Sequence, residues 1–163
     1  MHQIEGSQKA RGFRFALIVS RYHDFVTDRL QAGALEALEA ADVASDDVAV
    51  IKVPGAFEIP VAARRAAETR QFDAIVCLGC VIRGGTPHFE YIASAVASGI
   101  TSAAADTGVP MTFGVLTTNS VEEALERAGS RSANKGWEAA AAAVEMATLV
   151  KRLAKRTVPG IPV

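Results

Sequence analysis

The sequence predicts an α/β fold whose centre is a four-stranded parallel sheet with helices on both faces. Two observations support this prediction. Four short apolar runs are spread along the chain, and each is followed by a longer stretch in which apolar residues recur at helical spacing. The resulting order, β-α-β-α-β-α-β-α-α, is typical of parallel sheets with right-handed crossovers, since each helix returns the chain to the same edge of the sheet.

The strands are identified by short apolar runs without polar alternation. Such runs are typical of strands that are buried on both faces, and RFALIVS is the most distinct of them. The predicted strands span residues 14–20, 46–53, 72–82 and 109–117.

Helices are predicted between and after these strands. Apolar residues recur every three or four positions in LQAGALEALEAA, which places the first helix at residues 27–41. Ser120 with Glu123 three residues later has the pattern of a capping box, and Gly129 is a stop signal for a short helix. With four parallel strands, the fold is a flavodoxin-like three-layer α/β/α sandwich. The remaining helices are predicted at residues 58–69, 88–107 and 135–155.

The composition fits one compact domain. The chain has 163 residues, 50% of them hydrophobic, and a formal net charge of −1, which gives no general attraction to nucleic acid or to an anionic membrane. The N-terminal MHQIEGSQKARGFRF lacks the apolar run of a signal peptide, and no stretch approaches the roughly 18 apolar residues of a membrane span. We expect a cytoplasmic protein with one domain over residues 1–163, which includes an N-terminal arm at 1–12 and a loose C-terminal tail at 156–163.

The two cysteines, Cys77 and Cys80, have the C-x-x-C spacing of redox and zinc motifs. Both lie in the predicted strand AIVCLGCV, where residues i and i+3 point to opposite faces. One such pair without a nearby histidine supplies at most half of a zinc site. We therefore interpret both as core residues and expect no metal.

Unusual sequences follow every predicted strand. They are SRYHDF, PGAFE, VIRGGTPH and the end of PMTFGVLTTN. The carboxyl ends of parallel strands lie at one edge of a sheet, and ligands bind there. The sequence therefore predicts a ligand site to which all four connections contribute.

The turn after the third strand has the features of an anion site. Gly84 and Gly85 leave main-chain N–H groups uncovered, Thr86 adds a hydroxyl, and a helix begins near His88. Because the helix dipole disfavours imidazolium there, His88 is expected to be neutral and able to accept and return a proton. Neither G-x-x-x-x-G-K nor G-x-G-x-x-G is present. On residue types alone, a tight turn without a ligand and a surface histidine that caps the helix remain open.

Other candidate residues are compatible with both a site and an ordinary role. Tyr22 can stack on a flat heterocycle or stay a partly exposed tyrosine. Glu58 can accept hydrogen bonds from a polyol or complement a helix N-terminus. Phe113 is typical of a core residue, and Arg127 and Lys135, on either side of GSRSAN, are typical of solvated charges.

Together, these stretches resemble the lumazine synthase family of riboflavin biosynthesis. The resemblance covers residues 16–147, in ALIVSRYHDFVTDRL, VPGAFEIP, LGCVIRGGTPHFEYIA, FGVLTTNSVEEALERAG and NKGWEAAAAAVEMA. It implies condensation of 5-amino-6-(D-ribitylamino)uracil with 3,4-dihydroxy-2-butanone 4-phosphate. The product is 6,7-dimethyl-8-ribityllumazine, with loss of phosphate and two waters, and neither a metal nor an organic cofactor takes part.

The resemblance also implies roles for individual residues. His88 matches the proton-transfer residue of the family. The phosphate of the butanone is held by residues that match Gly85, Thr86 and Arg127. The ribitylaminouracil is held by residues that match Tyr22, Ala56, Phe57, Glu58, Cys80, Val81 and Ile82, and by residues of the adjacent subunit that match Phe113 and Lys135.

A few positions depart from the usual residues of the family. Tyr22 stands where phenylalanine is commoner, so stacking is kept, and Glu90 replaces a common aspartate, so the carboxylate is kept. His23 replaces a common asparagine, which puts a polar contact near the pyrimidine in doubt. The GSRSAN connection lacks a glycine that often precedes its asparagine.

The resemblance implies an oligomer as well. The family forms pentamers with active sites between neighbours, and in some members twelve pentamers close into an icosahedral shell of sixty chains. The connection from Arg127 to Lys135 is as short as in shell-forming members, which favours the shell here. Riboflavin synthase is a further partner that the family implies.

Two alternative functions are weighed against this one. The first is a catalytically weak paralogue that forms a cage or carries flavin or lumazine. Such a paralogue would have no need of a proton-transfer residue beside a phosphate site. The presence of Glu58, Thr86, His88 and Arg127 therefore argues against this alternative. The second is a flavodoxin-like flavin-binding module, but its phosphate turn would follow the first strand and not the third.

Overall fold

A computed structural model describes residues 1–155, and it has the predicted α/β architecture. The four strands are all parallel and lie in the order β2-β1-β3-β4. The predicted C-terminal tail at 156–163 lies outside the described residues. The strands are β1 (Phe15–Ser20), β2 (Val48–Val53), β3 (Ala74–Ile82) and β4 (Met111–Thr118).

Five helices accompany the strands within residues 1–155. The third and fifth begin at the predicted residues, His88 and Lys135. In this part of the chain, no helix has both the length and the apolar character that crossing a bilayer requires. The helices are α1 (Asp24–Ala40), α2 (Ile59–Glu68), α3 (His88–Thr107), α4 (Val121–Arg127) and α5 (Lys135–Lys155).

The central strands of the sheet are buried on both faces, which confirms the three layers. β1 is inaccessible to solvent along its whole length, and its side chains alternate between two apolar clusters. Leu17 belongs to the cluster that contains Leu30 of α1 and the buried alanines of α5. Ile18 belongs to the cluster that contains Ile59 of α2 and Ile100 of α3. The absence of polar alternation in β1 is thus explained by a helical layer on each side.

Several predicted starts of strands and helices are wrong by one to three residues. Two of these errors have a clear local reason. α1 begins at Asp24 instead of residue 27, because His23 adopts a left-handed conformation (φ 61°) and its carbonyl accepts hydrogen bonds from the N–H groups of Val26 and Thr27. β2 begins at Val48, since residues 45–47 form a 3₁₀ turn.

The capping box before α4 is confirmed in part. The Ser120 hydroxyl accepts a hydrogen bond from the Glu123 N–H at 3.2 Å, as predicted. The Glu123 carboxylate accepts from the N–H of Asn119 (2.9 Å) instead of that of Ser120. α4 is therefore anchored one residue further back, at the end of β4.

The N-terminal residues pack on α1 and α5. The N–H of Ser7 donates to the hydroxyl of Thr148 in α5 at 2.7 Å, and the N–H of Ala10 donates to the carbonyl of Ala41 at 2.9 Å. Ala10 is buried in this contact. The segment from 1 to 12 therefore joins the two helices that cover one face of the sheet.

The prediction that both cysteines are core residues is confirmed. Cys77 and Cys80 are free and buried, and they belong to the clusters on opposite faces of the sheet. Burial raises the pKa of Cys77 to about 12 and that of Cys80 to about 11. Both are therefore neutral thiols, which is typical of structural cysteines.

Candidate active site

A cavity of about 420 Å³ opens at the carboxyl edge of the sheet. Its volume lies in the range of small-molecule sites. The connections after β1, β2 and β3 contribute to its wall, as predicted. The predicted stretch at the end of β4 does not, and only Val121, the first residue of α4, borders the cavity there. The lining residues are Tyr22, His23, Gly55, Ala56, Phe57, Glu58, Cys80, Val81, Ile82, Gly84, Thr86, His88, Phe89, Ile92 and Val121.

The connections after β1 and β2 are tied together by main-chain hydrogen bonds. The N–H of Arg21 donates to the carbonyl of Val53 at 2.8 Å, and the N–H of Tyr22 donates to that of Pro54 at 3.0 Å. The exposed ring of Tyr22 is thereby held at the cavity mouth. A phenol in this position presents a flat face to a bound heterocycle.

His23 is a wall residue that the sequence did not assign to the site. Its imidazole lies beside the Tyr22 ring (4.4 Å between centroids) and edge-on to Phe25 (5.8 Å). Partial burial lowers the pKa of His23, so the neutral ring is favoured. His23 adopts the left-handed conformation, in which asparagine and histidine are enriched. The residue type at position 23 is therefore the one feature of the sequence that could have indicated this turn.

The connection after β2 carries a carboxylate into the wall. Residues 56–58 form a 3₁₀ turn that leads directly into α2, and Glu58 is half-buried there. A Cβ built on Gly55 would lie 3.1 Å from the carboxylate oxygen Oε2 of Glu58. Glycine therefore leaves room for this carboxylate in the cavity wall, where it can accept hydrogen bonds.

The floor of the cavity is formed by the end of β3. Cys80 is buried, while Val81 and Ile82 are half-buried and border the open space. With a thiol pKa of about 11, Cys80 contributes an apolar wall and no charge. This part of the site can hold the edge of a ring through main-chain groups and apolar contacts.

The glycine turn after β3 contributes to the cavity wall. Gly84, Thr86 and His88 line the wall, whereas Gly85 lies between them without reaching it. A Cβ on either glycine would meet no atom within 4 Å, so the turn is open to solvent. His88 is the first residue of α3 and is exposed. The wall of one cavity thus contains the His88 imidazole at a helix N-terminus together with the Tyr22 ring.

Four of the predicted site residues are absent from the cavity wall: Gly85, within the glycine turn, and Phe113, Arg127 and Lys135. Phe113 lies five residues before the end of β4, which is about 17 Å along a strand. Phe113 and Lys135 border a separate depression of about 220 Å³ on the same chain, where the Lys135 ammonium pairs with Glu138 at 2.7 Å. Arg127 is exposed on α4, and its guanidinium reaches the carbonyl of Glu123 at 3.3 Å.

The remaining wall residues were missed for a simple reason. Phe89, Ile92 and Val121 have the helical spacing of core residues, and nothing in their type distinguishes a cavity wall from a core. Within residues 1–155, no three His, Cys, Asp or Glu side chains are grouped as a metal site requires. The polar side chains of the cavity wall are instead the Glu58 carboxylate, the imidazoles of His23 and His88, and the hydroxyls of Tyr22 and Thr86.

Comparison with known proteins identifies the family. Residues 12–151 match the sequence model of 6,7-dimethyl-8-ribityllumazine synthase. The chain is 50% identical over 149 residues to the 6,7-dimethyl-8-ribityllumazine synthase of Syntrophus aciditrophicus (strain SB), a match that covers 91% of this chain and 97% of the relative. The chain therefore belongs to the 6,7-dimethyl-8-ribityllumazine synthase family, as the resemblance of its motifs implied.

Proposed function

We propose that this chain condenses 5-amino-6-(D-ribitylamino)uracil with 3,4-dihydroxy-2-butanone 4-phosphate to form 6,7-dimethyl-8-ribityllumazine, the penultimate step of riboflavin biosynthesis. Family membership supports the reaction. The observation that carries it is the cavity itself, whose wall combines Tyr22 and Glu58 with a glycine turn that leads into His88. A flat polyol-bearing ring and a phosphate ester are the two substrates that such a cavity suits.

The ribitylaminouracil occupies the side of the cavity formed by the first two connections. Tyr22 stacks on the pyrimidine, and the half-buried Glu58 accepts hydrogen bonds from the ribityl hydroxyls. The main chain from Cys80 to Ile82 runs along the pyrimidine edge, and the 3₁₀ turn with Ala56 and Phe57 holds the ribityl chain.

The butanone phosphate occupies the side formed by the glycine turn. Main-chain N–H groups around Gly85, the Thr86 hydroxyl and the N-terminus of α3 hold the phosphate. Arg127 is the cation for this phosphate, because among residues 1–155 its guanidinium forms only one hydrogen bond, with the carbonyl of Glu123. Arg83 is closer to the turn in sequence, but its guanidinium already donates to the Glu90 carboxylate and to the side-chain oxygen of Asn119.

His88 transfers protons during the reaction. Imine formation, loss of phosphate and ring closure each move a proton, and His88 lies on the cavity wall next to the phosphate turn. An imidazole at this position can accept a proton from the reacting amine and return it to a departing group. Much of the acceleration comes from holding two reactants together, with His88 adding to it.

The site is completed by a neighbouring chain. Phe113, Lys135 and Arg127 do not line the cavity of their own chain, and Phe113 lies too far along β4 to reach it. Large apolar side chains are exposed at Tyr22 (69%), Phe57 (59%) and Phe113 (47%), which is unusual for a monomer and favours association. In a ring of chains, the surface of one chain that carries Phe113, Lys135 and Arg127 would lie against the cavity of the next chain. This arrangement supports the pentamer.

Larger assembly and cellular context are part of the same proposal. The connection between α4 and α5 is compact, with a 3₁₀ turn at residues 131–133 followed by the buried Asn134. Such a short connection supports the closed shell of sixty chains. A cytoplasmic location and association with riboflavin synthase follow from the pathway step that we propose.

The reaction is tested by mixing both substrates with the protein and following the fluorescence of the lumazine above the uncatalysed rate. His88→Ala is expected to lower kcat by up to about a hundredfold, the low end of the range for acid–base residues, because proximity supplies most of the acceleration. Arg127→Ala is expected to raise the KM for the butanone phosphate. Absence of acceleration by correctly assembled protein would instead support a carrier or cage.

The shared site is tested by co-expressing His88→Ala and Lys135→Ala chains. If each site combines His88 of one chain with Lys135 of its neighbour, random mixing restores about a quarter of the sites. If both residues serve a site within one chain, no mixture of these variants recovers activity. The separately assembled variants serve as controls.

A further inference from the structure

The phosphate turn has little support of its own. A Cβ on Gly84 or Gly85 would meet nothing within 4 Å, and residues 84–88 are exposed. Among residues 1–155, no side-chain hydrogen bond holds residues 84–86. An open turn of this composition samples many conformations, and ordering it on ligand binding would cost affinity.

The two ends of the turn are nevertheless fixed by one residue, Arg83. Its main-chain N–H donates to the carbonyl of Thr118 at 2.8 Å, and its Nε donates to Oδ1 of Asn119 at 2.9 Å, both at the end of β4. Its Nη1 donates to the carboxylate of Glu90 in the first turn of α3. Arg83 therefore bridges the point where the turn leaves the sheet and the point where it enters the helix.

A stacking contact adds to this bridge. The guanidinium carbon of Arg83 lies 4.5 Å from the centre of the Phe89 ring, over its face. Phe89 itself lines the cavity, one residue after His88. The hydrogen bond from Arg83 holds the pKa of the Glu90 carboxyl below its usual range, so this carboxylate is charged throughout the neutral pH range.

We propose that Arg83 and Glu90 form a clasp that keeps the turn at residues 84–87, and with it His88, in the geometry that binds the butanone phosphate. The proposal rests on the proposed function and adds two positioning residues to it. The clasp closes an eight-residue segment whose middle carries the phosphate-binding groups. It reduces the number of conformations that the turn loses when the phosphate binds.

A direct phosphate contact by Arg83 is a weaker explanation of the same residue. Its Nε and Nη1 are both occupied, and one face of the guanidinium is covered by Phe89. Arg83 is also absent from the cavity wall. A simple stabilising ion pair is weaker still, because the Arg83 and Glu90 side chains are about half exposed, and exposed pairs contribute little to the stability of a fold.

The test uses Glu90→Gln, which removes the charge and keeps the size of the side chain. We expect the KM for the butanone phosphate to rise roughly tenfold and the KM for the ribitylaminouracil to stay the same, since only the turn loses its order. Hydrogen exchange of the amides at residues 84–88 is expected to become faster, with an unchanged urea midpoint. Glu90→Asp, which restores the carboxylate, is expected to recover most of the affinity.

Glu68→Gln is the matched control. Glu68 pairs with Arg65 at 3.0 Å on an exposed face of α2, so the control removes the same charge from the same kind of ion pair away from the turn. The clasp is refuted if Glu90→Gln changes neither the KM for the butanone phosphate nor the exchange of the turn, or if both KM values and the urea midpoint change together. An inactive wild-type protein would refute the proposed function instead, and the exchange measurement would still test the clasp.

Discussion

Replacing Gly136 with alanine is expected to weaken the packing of α1 against α5. A Cβ built on Gly136 would lie 2.0 Å from the carbonyl oxygen of Leu30 and 2.6 Å from its carbonyl carbon. Both atoms belong to the main chain of α1, so no side-chain rotation relieves the clash. Because ordinary contacts begin at 3.4 Å, the helices have to separate by the difference, about 1.4 Å, at this point.

Two opposing effects set the magnitude. Alanine is favoured over glycine inside a helix by about 1 kcal/mol, and less than that at Gly136, the second residue of α5. Overpacking a dense interior costs about 1–3 kcal/mol, and a clash between two main chains belongs at the upper end or above it. We therefore expect the free energy of unfolding to fall by roughly 2 kcal/mol or more. The same displacement moves Lys135, the neighbouring residue, so activity is expected to fall as well.

Urea denaturation at one protein concentration measures the effect, since the proposed assembly would make the midpoint depend on concentration. Gly84→Ala is the control, because its Cβ would meet no atom within 4 Å, and its stability is expected to change by less than about 0.5 kcal/mol. If Gly136→Ala unfolds at the same urea concentration as the control, the close approach of α1 and α5 is wrong.

Further predictions concern the start of α5, the turn before α1 and the thiols. Asn134→Ala is expected to lower the free energy of unfolding, measured in urea, by roughly 2–4 kcal/mol. The reason is that the Asn134 side chain accepts from the N–H of Trp137 and donates to two carbonyls, at 3.0 and 3.1 Å. A decrease of less than about 1 kcal/mol would contradict this network. His23→Val is expected to be about 1–2 kcal/mol less stable than His23→Asn, since φ is 61° there, and equal urea midpoints would contradict the left-handed conformation. Iodoacetamide at pH 8 is expected to modify Cys77 and Cys80 only after unfolding, because burial raises the pKa values to about 12 and 11, and rapid modification of native protein would contradict this. The thiols lose their protons at a lower pH in the unfolded chain than in the folded chain, so the free energy of unfolding is expected to fall as the pH rises from 9.0, the ordinary thiol pKa, towards 11. A stability that rises between these pH values would contradict the direction of the pKa shifts.

The fold was predictable because its signals are local. A buried parallel strand needs an uninterrupted apolar run, and RFALIVS has one, with side chains that alternate between two clusters in the structure. The start of α3 was predictable because a proline and two glycines precede His88. The start of α1 was not, because the left-handed conformation of His23 leaves no trace in the apolar periodicity.

The site was predictable to a lesser extent. The rule for the carboxyl ends of parallel strands placed Tyr22, Glu58 and His88 around one cavity before any contact was known. The same rule cannot select Val121, which differs in no way from a core valine in the sequence. Phe113 was typical of a core residue, but it is exposed on a strand at the edge of the sheet, and no pattern within one chain encodes a contact with another.

The proposed association with a neighbour explains an apparent conflict in the site. The cavity holds Tyr22, Glu58 and His88, to which we assign substrate binding and proton transfer, but Tyr22, Phe57 and His88 are exposed in the single chain. Phosphate binding and proton transfer both become stronger when water is excluded, because the local dielectric falls. A neighbouring chain that covers these residues with Phe113 would exclude this water and bury the apolar surface at the same time. Assembly and catalysis would then depend on the same contact, so changes at this interface are expected to reduce activity before they unfold the chain.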